Sequence, residues 1–334
     1  MTRPDDTMQP TLAVEHLRTE FAARGGAVTV VNDISFTVRR GEILGIVGES
    51  GSGKSMTAYS IMRLVDAPGC IAGGRVLLNG QDLLGLNEEQ MRRVRGNRIA
   101  MIFQDPMMTL NPVLRIDTQM IEAVQAHQKV GRAQAREMAR AALARVGLPS
   151  PEERLLAYPH QFSGGMRQRV AIAIALLNQP DLILCDEPTT ALDVTIQGQI
   201  LHEMQTLCRA SGTALVWITH DLAVVAGLAD RVCVMYGGRI VESGHVRDVL
   251  ERPRHPYTAG LIASSPSRNR RGAPLRQIAG AAPPPSELPS GCPFRTRCPH
   301  ATPVCATMPE ADVQDGHMWR CFHPMREPEG AAHG

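Results

Sequence analysis

The chain has 334 residues, 43% of them hydrophobic, which is enough to bury the core of one large α/β domain or of two modest ones. Its 35 basic and 33 acidic residues leave a net charge of +2, so the concentrated basic face of a nucleic-acid-binding protein is not expected. No apolar run approaches the roughly 18 residues that span a bilayer, and the polar residues 1–10 do not resemble a signal peptide. We therefore expect a cytosolic chain that reaches a membrane only through a partner and keeps its 8 cysteines reduced.

Apolar runs and helical patterns alternate along the first 260 or so residues. Strands are predicted at residues 12–17, 28–38, 42–47, 75–79, 98–103, 181–185, 213–219 and 231–236. Helices are predicted from Gly53, over residues 118–146 with a break near Gly131, and over residues 163–177 with Ser163 as the N-cap. This alternation predicts an α/β fold with a parallel sheet covered on both faces.

The glycine-rich segment after residues 42–47 carries the clearest chemical signal. It matches G-x-x-x-x-G-K-[ST] at every fixed position, between a predicted strand and a predicted helix. Glycines let backbone N–H groups turn toward a phosphate, the lysine reaches the β- and γ-phosphates, and the hydroxyl of Ser55 binds Mg²⁺. The predicted ATP-binding residues of this loop are Gly48, Glu49, Ser50, Gly51, Ser52, Gly53, Lys54 and Ser55.

A second motif, which is acidic, follows the predicted buried strand 181–185. Asp186 is placed to hold Mg²⁺, and Glu187 is placed to polarise an attacking water as a general base. An isolated Asp-Glu pair is usually surface charge. Here it ends a buried strand downstream of a phosphate loop, which favours a catalytic role.

The order of further motifs resembles that of ABC-transporter nucleotide-binding domains over roughly residues 12–250. The resemblance rests on Gln104 after a strand, on Phe162-Ser163-Gly164-Gly165-Met166 as the signature, on Ala191-Leu192-Asp193 as the D-loop, and on His220 as the switch histidine. It implies that Gln104 contacts Mg²⁺, that His220 holds the γ-phosphate, and that the signature completes the ATP site of an opposing chain. It also implies that Phe21 stacks on adenine, although a core phenylalanine is nearly as good an interpretation.

Departures from the common signature narrow the resemblance. Phe162 and Met166, the segment 103–112 and the segment 254–258 together resemble the ATPases of dipeptide and oligopeptide importers, specifically the D-type subunit. This implies a second, different ATPase chain, two transmembrane permease subunits and an external substrate-binding protein as partners, without nucleic acid. It implies a peripheral position on the cytoplasmic face of the inner membrane. Importers of nickel, glutathione or oligosaccharides share the pattern, so the cargo stays open.

The resemblance also implies a domain plan. It gives an α/β P-loop NTPase with a RecA-like core, an antiparallel β subdomain and a helical ABC subdomain. The predicted ranges are an ATP-binding domain over residues 1–263 with its helical subdomain at about 106–175, a proline-rich linker over 264–290, and a cysteine-rich C-terminal extension over 291–334.

Four cysteines of the extension lie within 30 residues, at Cys292, Cys298, Cys305 and Cys321. Clustered thiols in a reducing compartment are commonly metal ligands. The long, uneven spacing lacks the tight pairs of zinc sites and favours a [4Fe–4S] cluster, which the resemblance to dipeptide-importer ATPases also implies. Zinc, or no metal, is the alternative.

Two other functions compete with a peptide-importer ATPase. One is a soluble ABC ATPase acting on nucleic acid or ribosomes, but the chain has one motif set and no long insertion. The other is a metal-sensing regulator dominated by the tail, against which Glu187 and His220 both argue because they keep the catalytic set complete.

Overall fold

The computed structural model describes residues 9–190, 193–265 and 276–325, and these residues form two compact units. The first unit comprises Thr37–Ile43, Val76–Ile218 and the described residues up to Ala13. The second comprises Val14–Phe36, Leu44–Arg75 and the described residues from Thr219 onward. The chain therefore contributes separate stretches to each unit, and each unit is described below by itself.

Strands and helices alternate through the middle of the chain. The strands are β1 (Leu12–Ala23), β2 (Gly26–Val38), β3 (Ile43–Val47), β4 (Gly69–Leu78), β5 (Gln81–Asp82), β6 (Ile99–Ile102), β7 (Leu182–Asp186), β8 (Ala214–Thr219), β9 (Arg231–Tyr236), β10 (Arg239–His245), β11 (Asp312–Gln314) and β12 (His317–Trp319). The α-helices are α1 (Lys54–Met62), α2 (Glu88–Val94), α3 (Ile116–Gln125), α4 (Arg132–Arg145), α5 (Pro151–Leu155), α6 (Gly164–Leu176), α7 (Val194–Ser211), α8 (Leu222–Leu228), α9 (Val246–Glu251) and α10 (Pro256–Ser264). Short 3₁₀ turns lie at Pro106–Met108, Pro159–Gln161, Pro285–Glu287 and Pro303–Ala306.

The first unit is built on parallel strands. β6 pairs with β7 and β7 pairs with β8, both in parallel, so that Cys185 lies opposite Ile102 on one side and Trp217 on the other. All five residues of β7 are buried. A continuous apolar run without alternation is what a strand covered on both faces requires, and the strands predicted at residues 181–185 and 213–219 are confirmed.

The second unit combines parallel and antiparallel pairing. β3 pairs in parallel with β9, while β9, β10, β12 and β11 follow one another through antiparallel pairs. In a separate sheet, β2, β1 and β4 lie side by side in that order. The sequence patterns predicted the parallel part but gave no strand at β10, β11 or β12. The last two strands have three residues each and no apolar alternation.

Helix boundaries follow the capping residues. The helical pattern over residues 118–146 divides into α3 and α4, and Gly131 is the N-cap of α4, so the predicted break is confirmed. Ser163 caps α6, where its Oγ accepts a hydrogen bond from the Met166 N–H at 3.3 Å. A side-chain oxygen at this position satisfies one of the backbone donors that the first turn leaves unpaired.

The described residues contain no helix that is both long and apolar enough to cross a membrane.

Candidate functional site

The phosphate-loop residues all lie in the second unit, between β3 and α1. β3 is fully buried. Gly53, with φ 97°, is the N-cap of α1, and Lys54 is the first residue of that helix. A Cβ on Gly48 would stand 2.2 Å from the carbonyl oxygen of Met235, and one on Gly53 would stand 2.6 Å from that of Val30. Since a side chain at either position would overlap backbone atoms, only glycine allows the loop to pass this close to its neighbours.

Lys54 and the serines of the loop differ in their exposure and in their hydrogen bonds. Lys54 is 5% exposed, and its Nζ donates to the carbonyl oxygens of Gly48 at 2.9 Å and Glu49 at 3.0 Å. Ser52 is 4% exposed, and its hydroxyl is buried without a hydrogen-bond partner in the described structure. Ser50 and Gly51 form the exposed tip, and Ser55 lies in the first turn of α1. A buried ammonium, an unsatisfied hydroxyl and a helix N-terminus together make an environment suited to an anion.

Two further residues support this loop and were not predicted. The Tyr257 hydroxyl accepts a hydrogen bond from the Glu49 N–H at 2.8 Å, and Arg297 forms an ion pair with the Glu49 carboxylate. They lie 208 and 248 residues away from Glu49 along the chain. No local sequence pattern links such distant positions. Arg297 also lies in the segment that the sequence analysis interpreted only as a metal site.

Phe21 and His220 also belong to the second unit. Phe21 is half-buried on β1, and its ring edge lies 2.7 Å from where a Cβ on Gly69 would stand, so it packs on that glycine. His220 is exposed and follows β8 directly. The next residue, Asp221, caps α8 by accepting a hydrogen bond from the Ala223 N–H at 2.8 Å. The structure leaves the predicted roles of Phe21 and His220 as predictions.

The acidic pair lies in the first unit, where β7 ends. Asp186 is the last residue of the strand and is 4% exposed. Glu187 has a left-handed backbone with φ 45°, and its N–H donates to the Ile218 carbonyl oxygen at 2.9 Å. Its carboxylate accepts a hydrogen bond from the Thr190 hydroxyl at 3.1 Å. Non-glycine residues adopt this backbone conformation rarely, and it occurs preferentially where a side chain must be directed to a task.

Burial at the end of β7 also changes the neighbouring thiol. The pKa of the Cys185 thiol is raised well above its ordinary value, first by burial and then by the negative charges of its neighbours, including Asp186. Cys185 and Cys208 are both fully buried, and burial raises the pKa of Cys208 to about 12. These two cysteines are therefore buried core residues that stay in the neutral thiol form.

The remaining predicted site residues of the first unit lie at the ends of elements. Gln104 is exposed just beyond β6. In the signature, Phe162 is 3% exposed beneath Arg154, whereas Ser163 and Gly164 are exposed at the start of α6. A Cβ on Gly165 would stand 3.0 Å from the Ile196 side chain of α7, and Met166 lies half-buried in the first turn of α6. In the D-loop, Asp193 caps α7 through the Ile196 N–H at 3.0 Å, while Ala191 and Leu192 lie outside the described residues.

The predicted metal site of the tail is wrong. Among residues 9–190, 193–265 and 276–325, no group of three or more histidine, cysteine, aspartate or glutamate side chains is arranged to hold a metal ion. Burial raises the pKa of Cys292 and Cys298, and raises that of Cys321 to about 11. Cys305 is also buried. The described part of the tail therefore offers no group of ligands for the predicted [4Fe–4S] cluster or for the zinc alternative.

Aromatic packing and strand pairing hold the tail instead. The ring of Phe294, which is 2% exposed, lies 5.2 Å from the ring of Tyr236 and 5.3 Å from that of Tyr257. Trp319 on β12 pairs with Glu242 on β10. The expectation of a metal rested on four clustered thiols, on their spacing and on the family resemblance. It overlooked the apolar surface that the tail buries against the rest of the second unit.

Fold and site together define an ATP-binding cassette, and comparison with known proteins makes the relationship specific. The family described as ABC transporter matches residues 31–190, and the family described as oligopeptide/dipeptide transporter, C-terminal region, matches residues 241–305. The chain is 47% identical over 317 residues to the oligopeptide transport ATP-binding protein OppD of Escherichia coli (strain K12), covering 95% of this chain and 94% of that protein. It is 46% identical over 318 residues to the dipeptide transport ATP-binding protein DppD of Bacillus subtilis (strain 168), covering 94% of this chain and 95% of that protein.

Solved structures agree on the fold. The chain resembles the dimeric structure of a post-hydrolysis state of the ATP-binding cassette MJ0796 bound to ADP and Pi, with a TM-score of 0.64 and 25% identity. That match covers 71% of this chain and 99% of the other. The chain belongs to the family of ATP-binding proteins of oligopeptide and dipeptide ABC transporters.

Proposed function

We propose that this chain is the ATP-binding and ATP-hydrolysing subunit that powers an importer of dipeptides or oligopeptides. The observation that carries the proposal is the phosphate loop. A buried lysine, a buried hydroxyl without a partner and a helix N-terminus converge in a segment where a Cβ on Gly48 or Gly53 would overlap backbone atoms. The names of relatives that match nearly the whole length of the chain supply the cargo class.

Phosphate binding is the first task of the site. The N–H groups of the loop other than that of Glu49 attract the phosphates together with the positive end of α1, and Lys54 exchanges its carbonyl partners for phosphate oxygens. Ser55, Gln104 and Asp186 offer hydroxyl, amide and carboxylate oxygens, the ligand types that Mg²⁺ prefers. When bound, Mg²⁺ neutralises charge on the phosphates. Phe21 is proposed to stack on adenine.

Hydrolysis requires a base beside the γ-phosphate, and Glu187 is proposed for that role. Its left-handed backbone and the hydrogen bond from Thr190 fix the direction of the carboxylate. A carboxylate held in this way can accept the proton of an attacking water. His220 is proposed to hold the γ-phosphate and orient that water. Both residues follow buried strands, which is how a rigid scaffold presents polar side chains to a substrate.

The signature is proposed to act on the ATP of a second chain. Ser163 and Gly164 are exposed at the N-terminus of α6, where backbone N–H groups and the helix dipole favour an anion. Gly165 lies against α7, the helix that Asp193 caps, so the signature and the D-loop side chain share one packed pair of helices. Phe162 anchors the start of α6 in the core.

The proposed assembly pairs this chain with a different ATPase subunit and with two transmembrane permease subunits. An external binding protein would deliver the peptide. The chain would lie at the cytoplasmic face of the inner membrane, bound through the permeases, with no role for nucleic acid. The proposed domain plan has residues 264–290 as the link between the ATPase domain and the C-terminal region. Importers of nickel, glutathione or oligosaccharides are the alternative, and the peptide-transporter relatives favour peptides.

Replacing Lys54 by Ala tests the site. Loss of its charge-assisted hydrogen bonds should weaken ATP binding by about 10- to 100-fold, equivalent to roughly 1.5–3 kcal/mol, and should abolish hydrolysis. Lys129 is exposed and is the other of the chain's two lysines, so Lys129→Ala is a matched control. Isothermal titration with ATP and phosphate release by the assembled transporter are the measurements. Wild-type ATP affinity in Lys54→Ala would show that the phosphate loop is wrongly assigned.

A further inference from the structure

Glu49, the second residue of the phosphate loop, is held by the C-terminal part of the second unit at two points. Arg297 Nη1 lies 2.6 Å from one carboxylate oxygen and Nη2 lies 3.1 Å from the other. The backbone N–H of Glu49 donates a hydrogen bond to the Tyr257 hydroxyl at 2.8 Å. Glu49 thus directs neither its N–H nor its carboxylate toward the space that the loop encloses.

Arg297 is held in place by contacts other than its ion pair with Glu49. Its Nε donates to the Ala279 carbonyl oxygen and its Nη2 to that of Gly280, each at 2.9 Å. The guanidinium lies 5.8 Å from the ring centre of Tyr236, and its side chain is 6% exposed. The arginine side of this pair is nearly buried, whereas the Glu49 side chain is 29% exposed. The planar, bidentate geometry makes the pair more directional than a single-point contact.

The second attachment is equally rigid. Tyr257 is fully buried, and its ring lies 4.6 Å from that of Tyr236 and 5.3 Å from that of Phe294. Phe294 belongs to the tail, three residues before Arg297. The hydroxyl that receives the Glu49 N–H is therefore part of one packed aromatic group that includes the tail.

A displacement of Glu49 would also move a hydrogen-bond partner of Lys54, the lysine proposed to bind phosphate. Lys54 Nζ donates to the Glu49 carbonyl oxygen at 3.0 Å and to that of Gly48 at 2.9 Å. Gly48 itself is confined, because the carbonyl oxygen of Met235 occupies the space where a Cβ would be. With one side of the loop confined in this way, Glu49 is the point at which the tail can change the position of the loop.

We propose that Arg297 is a positioning residue of the ATP site, through which the C-terminal tail fixes the phosphate loop in the conformation that receives nucleotide. Arg297 does not contact ATP; it acts through Glu49. The inference rests on the proposed function of Gly48–Ser55 and adds to it that the tail is required for full ATP affinity. A change that moves the tail changes ATP binding through this contact.

Four variants of the full-length chain test the proposal. Arg297→Met removes the ion pair and keeps the length of the side chain, and Glu49→Gln removes it from the other side with almost no change of shape. The double variant shows whether the two single exchanges lower ATP affinity through the same contact. Arg295→Met is the matched control, since Arg295 lies in the same tail and donates only weakly, at 3.5 Å, to the Ser290 hydroxyl. ATP affinity by isothermal titration and urea unfolding without nucleotide are measured for each.

The expected result is a loss of ATP affinity of about tenfold in Arg297→Met and in Glu49→Gln, the size typical of coupling between contacting residues. The double variant should be no weaker than either single one, and Arg295→Met should bind as the wild type does. Wild-type affinity in Arg297→Met overturns the proposal, even if unfolding shows a loss of stability, because the ion pair would then only attach the tail. If Arg297→Met does not fold, wild-type affinity in Glu49→Gln overturns it.

Lys54→Ala in the same titration separates this inference from the proposed function. If Lys54→Ala loses ATP affinity and Arg297→Met does not, the phosphate loop stands and only the role of Arg297 is overturned. If Lys54→Ala binds ATP as the wild type does, both are overturned.

Discussion

At the scale of single residues, buried polar groups surround the beginning of α10. Glu242 is fully buried on β10 and accepts hydrogen bonds from the backbone N–H groups of Arg254 at 2.7 Å and His255 at 2.9 Å. It also lies 2.7 Å from His317 Nε2. His255 is 1% exposed, and its Nδ1 accepts a hydrogen bond from the Tyr257 N–H at 3.1 Å. These contacts join β10, β12 and α10, and so support the helix that carries Tyr257.

His255 predicts how stability depends on pH. Burial lowers the pKa of this histidine from 6.5 to about 3. Between these two values the unfolded chain binds a proton that the folded chain refuses, so stability falls as the pH falls below 6.5. His255→Asn keeps a side-chain acceptor at the N-cap and does not titrate. From pH 7 to pH 5, the wild type should lose about 2 kcal/mol more of its free energy of unfolding than the variant.

Urea unfolding at the two pH values measures this difference. His300→Asn, an exchange at an exposed histidine of the tail, controls for the loss of a histidine as such. Equal losses of stability in the wild type and in His255→Asn would contradict the prediction.

The sequence proposes site residues but not the residues that support them. Lys54, Asp186 and Glu187 could be proposed because their motif spacing is local and chemically specific, and their roles stay predictions. Tyr257 and Arg297 could not, because their contact with Glu49 joins positions more than 200 residues apart. The cysteines were misinterpreted for a related reason: spacing along the chain does not determine how side chains are arranged in space, and the described residues form no group that could hold a metal.

At the scale of elements, β3 and α8 pack so closely that one position admits only glycine. A Cβ on Gly45 would stand 2.6 Å from Cγ1 of Val225, whose branched side chain has little room to turn. Gly45→Ala should therefore destabilise the protein by about 1–3 kcal/mol. In a Val225→Ala background the same exchange should cost much less, because the overlapping methyl group is gone.

Gly227→Ala is the matched control within α8. Gly227 is exposed, and a Cβ there would meet nothing within 4 Å. Alanine is the better helix former, so this variant should gain roughly 0.5–1 kcal/mol. Urea unfolding of the four variants gives the comparison. An equal loss from Gly45→Ala with and without Val225 would contradict the proposed overlap.

Elements were predictable in proportion to their length and periodicity. β7, β8 and β9 are apolar throughout most of their length, and the break at Gly131 separates two amphipathic helices, so each was visible in the sequence. β11 and β12 have three residues each, and their pairing with β10 is fixed by tertiary contacts. β10 itself carries Glu242, Ser243 and Gly244, which conceal a strand from any apolar pattern.

At the scale of the whole molecule, one chain carries one phosphate loop and one signature. If the two act on the same ATP only across chains, as we propose, the purified subunit should hydrolyse ATP slowly and the assembled transporter should hydrolyse it fast. Family membership follows from relatives that match about 95% of the chain. The identity of the proposed second ATPase and of the cargo depends on other polypeptides, which is why this sequence could not predict them.

ATP-driven peptide uptake by membrane vesicles that contain the whole transporter tests the central claim most directly. The comparison is between the wild-type chain and Glu187→Gln, in which the amide keeps the shape of the side chain but cannot accept a proton. We predict unchanged ATP binding with hydrolysis and uptake both lowered about 10²- to 10⁴-fold, the usual cost of losing a general base. Uptake at the wild-type rate by vesicles carrying Glu187→Gln would contradict the account.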